Sequence, residues 1–157
     1  IVSAISVGIV NSGIGNISSL FSTLSTVGFK VKVSDKPEIL NKVDILLLPG
    51  VGAFAAVMDV YNSLGLTDYI KEASIKNRPI IGICLGMQLL TNSSEESLNC
   101  KGLGLIPGKI ISIKDSNWHI GWNVLKSNGI SKFLKDDMGM PVYFNQGYKF
   151  SGEKKFI

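Results

Sequence analysis

The sequence predicts a three-layer α/β domain built on a mostly parallel central sheet. Three observations carry this expectation: a strand–turn–helix–strand order at the N-terminus, an apolar stretch at Asp44–Leu48, and a run from Pro79 to Leu90 that turns through Gly82-Ile83-Cys84-Leu85-Gly86 into a helical pattern. A strand apolar on both faces needs cover on both sides. Successive β-α-β units supply it, because their crossovers place helices over a parallel sheet.

Length and composition narrow the function classes. A chain of 157 residues has room for one sizeable core, and a single domain over residues 1–157 is expected. Its 45% hydrophobic and 18% charged residues are those of a soluble globular protein. No apolar run reaches membrane-spanning length, and the N-terminus lacks the basic start and cleavage site of a signal peptide, so the cytoplasm is expected and a membrane is not. Cys84 and Cys100 are too few for a disulfide framework, and His119 is the only histidine, so a metal site is not expected. The net charge of +4 comes from scattered lysines with a small cluster at Lys149, Lys154 and Lys155, which gives no basic stripe for nucleic acid.

The elements follow in order. Ile5–Val10 is a first strand, and Asn11-Ser12-Gly13-Ile14-Gly15-Asn16 is a turn. Ile17, Leu20, Phe21, Leu24 and Val27 recur at helical spacing until Gly28, and Phe29–Val33 is a second strand. The Gly13-x-Gly15 turn, with Asp35 downstream, has part of a dinucleotide-binding pattern, but Ser18 stands where the third glycine belongs. The other reading is a tight strand-to-helix turn whose open helix terminus helps bind an anion. A short helix over Pro37–Lys42 precedes the Asp44–Leu48 strand, which runs into Pro49-Gly50-Val51-Gly52-Ala53-Phe54. That turn either presents outward N–H groups to a ligand, as an oxyanion hole requires, or is a plain glycine turn.

Met58, Tyr61, Leu64 and then Leu66, Tyr69, Ile70 and Ala73 give helical periodicity broken near Gly65, leading to a buried strand before Cys84. Asn92–Glu96 reads as a polar loop, Gly102–Gly108 as a turn, and Lys109–Ile113 as a strand. Asn117–Asn123 reads as an aromatic, glycine-containing loop whose Trp118 and Trp122 either plug the core or form an interaction surface. Val142–Phe144 is the last clear strand, and 147–157 adds no convincing element.

Cys84 is the chemically informative residue. At a strand-to-helix turn between Gly82 and Gly86, its side chain is exposed at the apex, and the following helix turns free N–H groups toward it. Such a place favours the nucleophilic thiolate. The alternative is a buried structural cysteine between packing glycines.

The Pro49–Phe54 turn, the Gly82–Leu90 run and the Trp118 loop together resemble the class I (triad-type) glutamine amidotransferases, and among them the glutaminase subunits of imidazole glycerol phosphate synthase. The resemblance covers most of the chain and implies a flavodoxin-like topology. It implies Cys84 as the nucleophile on the side-chain amide of glutamine, an oxyanion hole from the backbone of Gly50, Val51 and Gly52 with the Leu85 N–H, and Gln88 as a glutamine-binding residue. No cofactor is implied. Ammonia would pass to a (β/α)-barrel synthase partner in histidine biosynthesis, in a heterodimer.

The sequence also departs from the family. The family's general base and its orienting carboxylate lie in a C-terminal Phe-His-Pro-Glu type motif, which is absent here, so the single domain is expected to lack the part that carries them. His119 aligns with a different family element and does not inherit the base role. Gln146 and Gly147 stand where a histidine–serine–tyrosine segment is usual, and Asn11-Ser12 replaces aspartate and tyrosine. Two alternatives accompany the glutaminase reading: a glutaminase serving a sugar-amidating enzyme of surface polysaccharide synthesis, and a catalytically dead partner-binding module. A nucleotide-binding oxidoreductase is the third.

Overall fold

A computed structural model describes residues 4–113, 118–125 and 139–153. Strand β1 (Ser6–Val10) leads into helix α1 (Ile17–Thr26), strand β2 (Lys30–Ser34), the single turn α2 (Pro37–Leu40) and strand β3 (Ile45–Leu48). Helices α3 (Phe54–Ser63) and α4 (Leu66–Ile75) follow, then β4 (Ile80–Gly82), the short helix α5 (Leu85–Leu89), β5 (Thr91–Ser94) and β6 (Ile106–Ser112). The last described elements are β7 (His119–Val124), β8 (Pro141–Gln146) and β9 (Tyr148–Gly152).

The central sheet has the order β2-β1-β3-β4 with every pairing parallel, as the β-α-β reading requires. Its two middle strands are the apolar ones. Ile9, Val10, Leu46, Leu47 and Leu48 are all nearly or fully buried, and the two faces of the sheet feed two separate clusters. The larger gathers Phe54, Val57, Met58 and Tyr61 of α3 with Leu66 and Ile70 of α4, and the smaller packs α1 through Ile17, Leu20 and Leu24. Helices on both faces of a parallel sheet make the expected three layers.

Polar residues tie the connections to this core. Asp44 accepts from both the backbone N–H and the hydroxyl of Ser6, at 2.7 and 2.6 Å, locking the start of β3 to the start of β1. Arg78 donates to the Leu40 carbonyl at 3.0 Å and to the Tyr69 hydroxyl at 2.9 Å, which pins the turn before β4 to α2 and α4.

Four local expectations are corrected. The strand before Cys84 is an edge rather than a buried strand, since no described strand pairs beyond β4 and Ile81 is 38% exposed. Asn92–Glu96 is not all loop, because Thr91–Ser94 forms β5 and pairs in parallel with β6. The Trp118 segment is not a loop either: His119–Val124 pairs antiparallel with Pro141–Gln146. Finally, residues 148–152 form β9, antiparallel to β6. In the last three cases cross-strand pairing supplies what weak local propensity does not. The Phe150 ring makes the point for β9, since it lies over Gly108 and Gly152, where a Cβ would meet it at 2.6 Å and closer. Asn117, Lys154 and Lys155 lie outside the described residues. Among the described residues, no helix is long and apolar enough to cross a membrane.

Candidate active site

The site forms at the carboxyl ends of β3 and β4, which lie side by side with Leu48 opposite Gly82. The Ile83 N–H continues the pairing by donating to the Leu48 carbonyl at 3.0 Å, so the two strands deliver their following turns to the same place. Three glycines allow those turns to touch. A Cβ on Gly86 would overlap the Leu48 carbonyl oxygen, one on Gly82 would lie 2.6 Å from the Met87 nitrogen, and one on Gly50 would lie 2.7 Å from the Gly86 nitrogen. The Gly82-x-Cys84-x-Gly86 spacing is therefore a steric requirement of the packing.

Between these glycines Cys84 is held at φ 55°, ψ −117°. A residue with a side chain seldom occupies positive φ, and holding one there costs roughly 1–3 kcal/mol. The strain turns Cys84 outward: it is a free, exposed thiol, and the structural-cysteine reading falls. Immediately after it, Leu85 is the first residue of α5, so its N–H has no place in the helix's own ladder and is available at the apex. The helix that follows is five residues long and ends where Thr91 enters β5.

Cys84 lines two cavities. One, of about 220 Å³, is bounded by Pro49, Gly50 and Val51 on one side and by Asn16, Ser19 and Leu20 of the α1 start on the other. The second, of about 740 Å³, is walled by β7, β8 and β9, through His119, Phe144, Gln146 and Tyr148. Of the residues singled out from sequence, Gly50 and Val51 thus meet Cys84 in the smaller cavity, and Gly52, at φ 92°, completes their turn. Gln88 is buried on α5, one turn beyond Cys84, and lines neither cavity. Another cavity of about 700 Å³, between α3, α4 and the Ser97–Gly102 segment, contains Cys100 but none of these residues.

Two contributors were not legible as site residues. Gln146 donates from Nε2 to the Cys84 sulfur at 3.8 Å across 62 positions of sequence. Glu96 accepts from the Phe54 N–H at 3.3 Å and so braces the end of the Pro49–Ala53 turn, although its stretch reads as a polar loop. The resemblance singles out Gln146 only as a replacement, and no local signal marks Glu96; the pairing of β8 with β7 and of β5 with β6 brings them in. His119 also enters the larger cavity, but its ring is stacked on Phe144 at 4.2 Å and its Nε2 is 2.9 Å from the Asn123 side-chain amide. Trp118 and Trp122 are 67% and 70% exposed, so neither plugs the core.

Residues 8–156 match the family described as glutamine amidotransferase class-I. The chain belongs to the class I glutamine amidotransferases. It is 37% identical over 154 residues to the imidazole glycerol phosphate synthase subunit HisH of Bacillus licheniformis, a match covering 93% of this chain and 73% of that one. It is 40% identical over 148 residues to the chloroplastic imidazole glycerol phosphate synthase hisHF of Arabidopsis thaliana, where the match covers 91% of this chain and 25% of the other. Among solved structures, a glutamine amidotransferase superposes with a TM-score of 0.73 at 18% identity, over 93% of this chain and 74% of that one, which establishes the shared fold. Class I amidotransferase membership leaves the Gly13-x-Gly15 turn as a strand-to-helix connection. Asn16 caps α1 there, accepting from the Ser19 N–H at 3.4 Å.

Proposed function

We propose that the protein hydrolyses glutamine to glutamate and ammonia as the glutaminase subunit of an imidazole glycerol phosphate synthase, with Cys84 as nucleophile. The single observation that carries this reading is the strained, outward-turned Cys84 set against the Gly50–Gly52 turn. The Cys84 thiolate attacks the side-chain amide carbon of glutamine, forming a carbon–sulfur bond and placing negative charge on the amide oxygen. The Leu85 N–H and the backbone of Gly50, Val51 and Gly52 receive that charge. The carbon–nitrogen bond then breaks, the nitrogen takes the proton that the Cys84 thiol gave up on ionising and leaves as ammonia, and water attacks the glutamyl thioester, its oxygen going to glutamate and one of its protons to the sulfur to restore the thiol. The resemblance assigns Gln88 to glutamine binding, which from its buried place on α5 requires the cavity floor to open toward it. The base role is not given to His119, whose ring is already engaged by Phe144 and Asn123; the resemblance assigns it to a histidine–glutamate pair on a C-terminal strand.

The relatives' names support a synthase partner in histidine biosynthesis, which we take to be a cytoplasmic (β/α)-barrel subunit receiving the ammonia. The β7–β8 hairpin offers a surface for it. Ile120, Trp122, Val124 and Tyr143 share one face, each more than half exposed, and contiguous exposed apolar groups of this kind mark interaction sites. The test is glutamate release from glutamine by the full-length protein mixed with its synthase partner, comparing wild type with Cys84→Ala. Loss of glutamate formation in the variant is expected, and undiminished activity would exclude Cys84 as nucleophile.

A further inference from the structure

We propose that Gln146 is a positioning residue for the nucleophile: its side-chain amide holds the Cys84 sulfur at the cavity wall and donates a hydrogen bond that favours the thiolate over the thiol. This rests on the reading of Cys84 as nucleophile. The 3.8 Å from Gln146 Nε2 to Cys84 Sγ lies within the longer hydrogen-bonding reach of sulfur. A thiol is a weak acceptor, whereas an anionic sulfur gains far more from an N–H donor, so the contact discriminates between the two states.

The donor is firmly mounted. Gln146 ends β8 opposite His119 of β7, and one residue later the Gly147 carbonyl accepts from the Ile113 N–H at 3.0 Å, joining the hairpin to the end of β6. Phe144, on the same face of β8, carries the stacked His119 ring. The amide thus reaches Cys84 from a braced wall rather than from a loop. An amide is also uncharged at every accessible pH, whereas a histidine, usual at this position in the resembled segment, changes charge near neutrality. Among the described residues, the titratable groups that share the cavity are His119 from β7 and Tyr148 and Lys149 from β9; β4, the turn after it and α5 contribute Gly82, Ile83 and Met87, which carry none. On the Pro49 side the cavity wall has, among the described residues, no titratable group besides Cys84.

The experiment is the rate of Cys84 alkylation by iodoacetamide as a function of pH, on the full-length protein. Peptide mass spectrometry separates Cys84 from Cys100, whose alkylation serves as the internal control for folding. In Gln146→Met, similar in length but without a donor, the rise of the Cys84 rate should move up by about half a pH unit, lowering the rate at neutral pH about three-fold. Gln146→Glu, nearly the same shape but anionic, should move it further in the same direction, and it decides the matter should the Met variant fail to fold. Gln146→His, which keeps a ring N–H donor, should bring the rate back toward wild type. Superimposed wild-type and Gln146→Met profiles would overturn the proposal. So would faster alkylation in Gln146→Met, because the amide would then be shielding the sulfur. Glutamate release measured on the same preparations after mixing with the synthase partner separates the two readings. An alkylation shift in a protein without glutaminase activity leaves Gln146 in this role and removes the proposed function; full activity without a shift removes only the role of Gln146.

Discussion

Gly86 lies so close to Leu48 that no side chain fits between them: a Cβ on the glycine would overlap the Leu48 carbonyl oxygen. This contact joins the turn after β4 to the strand that ends in the Pro49 turn, and the backbone oxygen it presses on cannot swing aside as a side chain would. Gly86→Ala should therefore destabilise the fold by about 3 kcal/mol, at the upper end of the usual overpacking cost. Gly13→Ala is the control. A Cβ there meets open space, so only the positive φ of 75° is penalised, by about 1 kcal/mol. Urea midpoints of the two variants measure the difference.

Cys84 is the second prediction. Its φ of 55° is tolerated because the packed turns on either side dictate it, and glycine adopts such a conformation without strain. Cys84→Gly should raise stability by about 1 kcal/mol, less than the full strain because glycine loses more entropy on folding, while glutaminase activity is lost. Thermal denaturation and glutamate release read the two effects separately.

The third concerns acid. Hydrogen bonds from the Ser6 hydroxyl and backbone hold the Asp44 carboxyl below its ordinary value of 3.8, with the Arg78 charge adding to the effect. A carboxyl lowered in the folded state contributes stability that is fully present above its unfolded value and disappears as pH falls through the folded one. Asp44→Asn should be less stable than wild type at neutral pH, and the gap between their urea midpoints should close as pH drops below 3.8. A gap that stayed constant would assign the loss to packing instead.

The fourth is a buried hydroxyl. Tyr61 is wholly inside the larger core cluster, and its hydroxyl has no hydrogen-bond partner among the described residues. Burial also pushes its ionisation well above the usual tyrosine range, so it stays neutral. Tyr61→Phe keeps the ring and removes the unpaired group, and should leave stability unchanged or raise it by about 1 kcal/mol in denaturant titration.

Much of this was legible in the residues alone. The apolar strands around Ile9 and Leu46–Leu48, the helical spacing of Met58, Tyr61 and Ile70, and the glycines flanking Cys84 each state their role locally, because period, β-branching and the absence of a Cβ are properties of short stretches. They determine the parallel sheet, its two covered faces and the strand-to-helix turn that carries the thiol. Tertiary structure alone decided the rest. The edge position of β4, the hairpin of His119–Val124 with Pro141–Gln146, the brace from Glu96 and the amide of Gln146 on the Cys84 sulfur all depend on contacts between residues far apart in the chain. Pairings of that kind are set by which surfaces meet when the core closes, and a neighbouring stretch of sequence does not encode them.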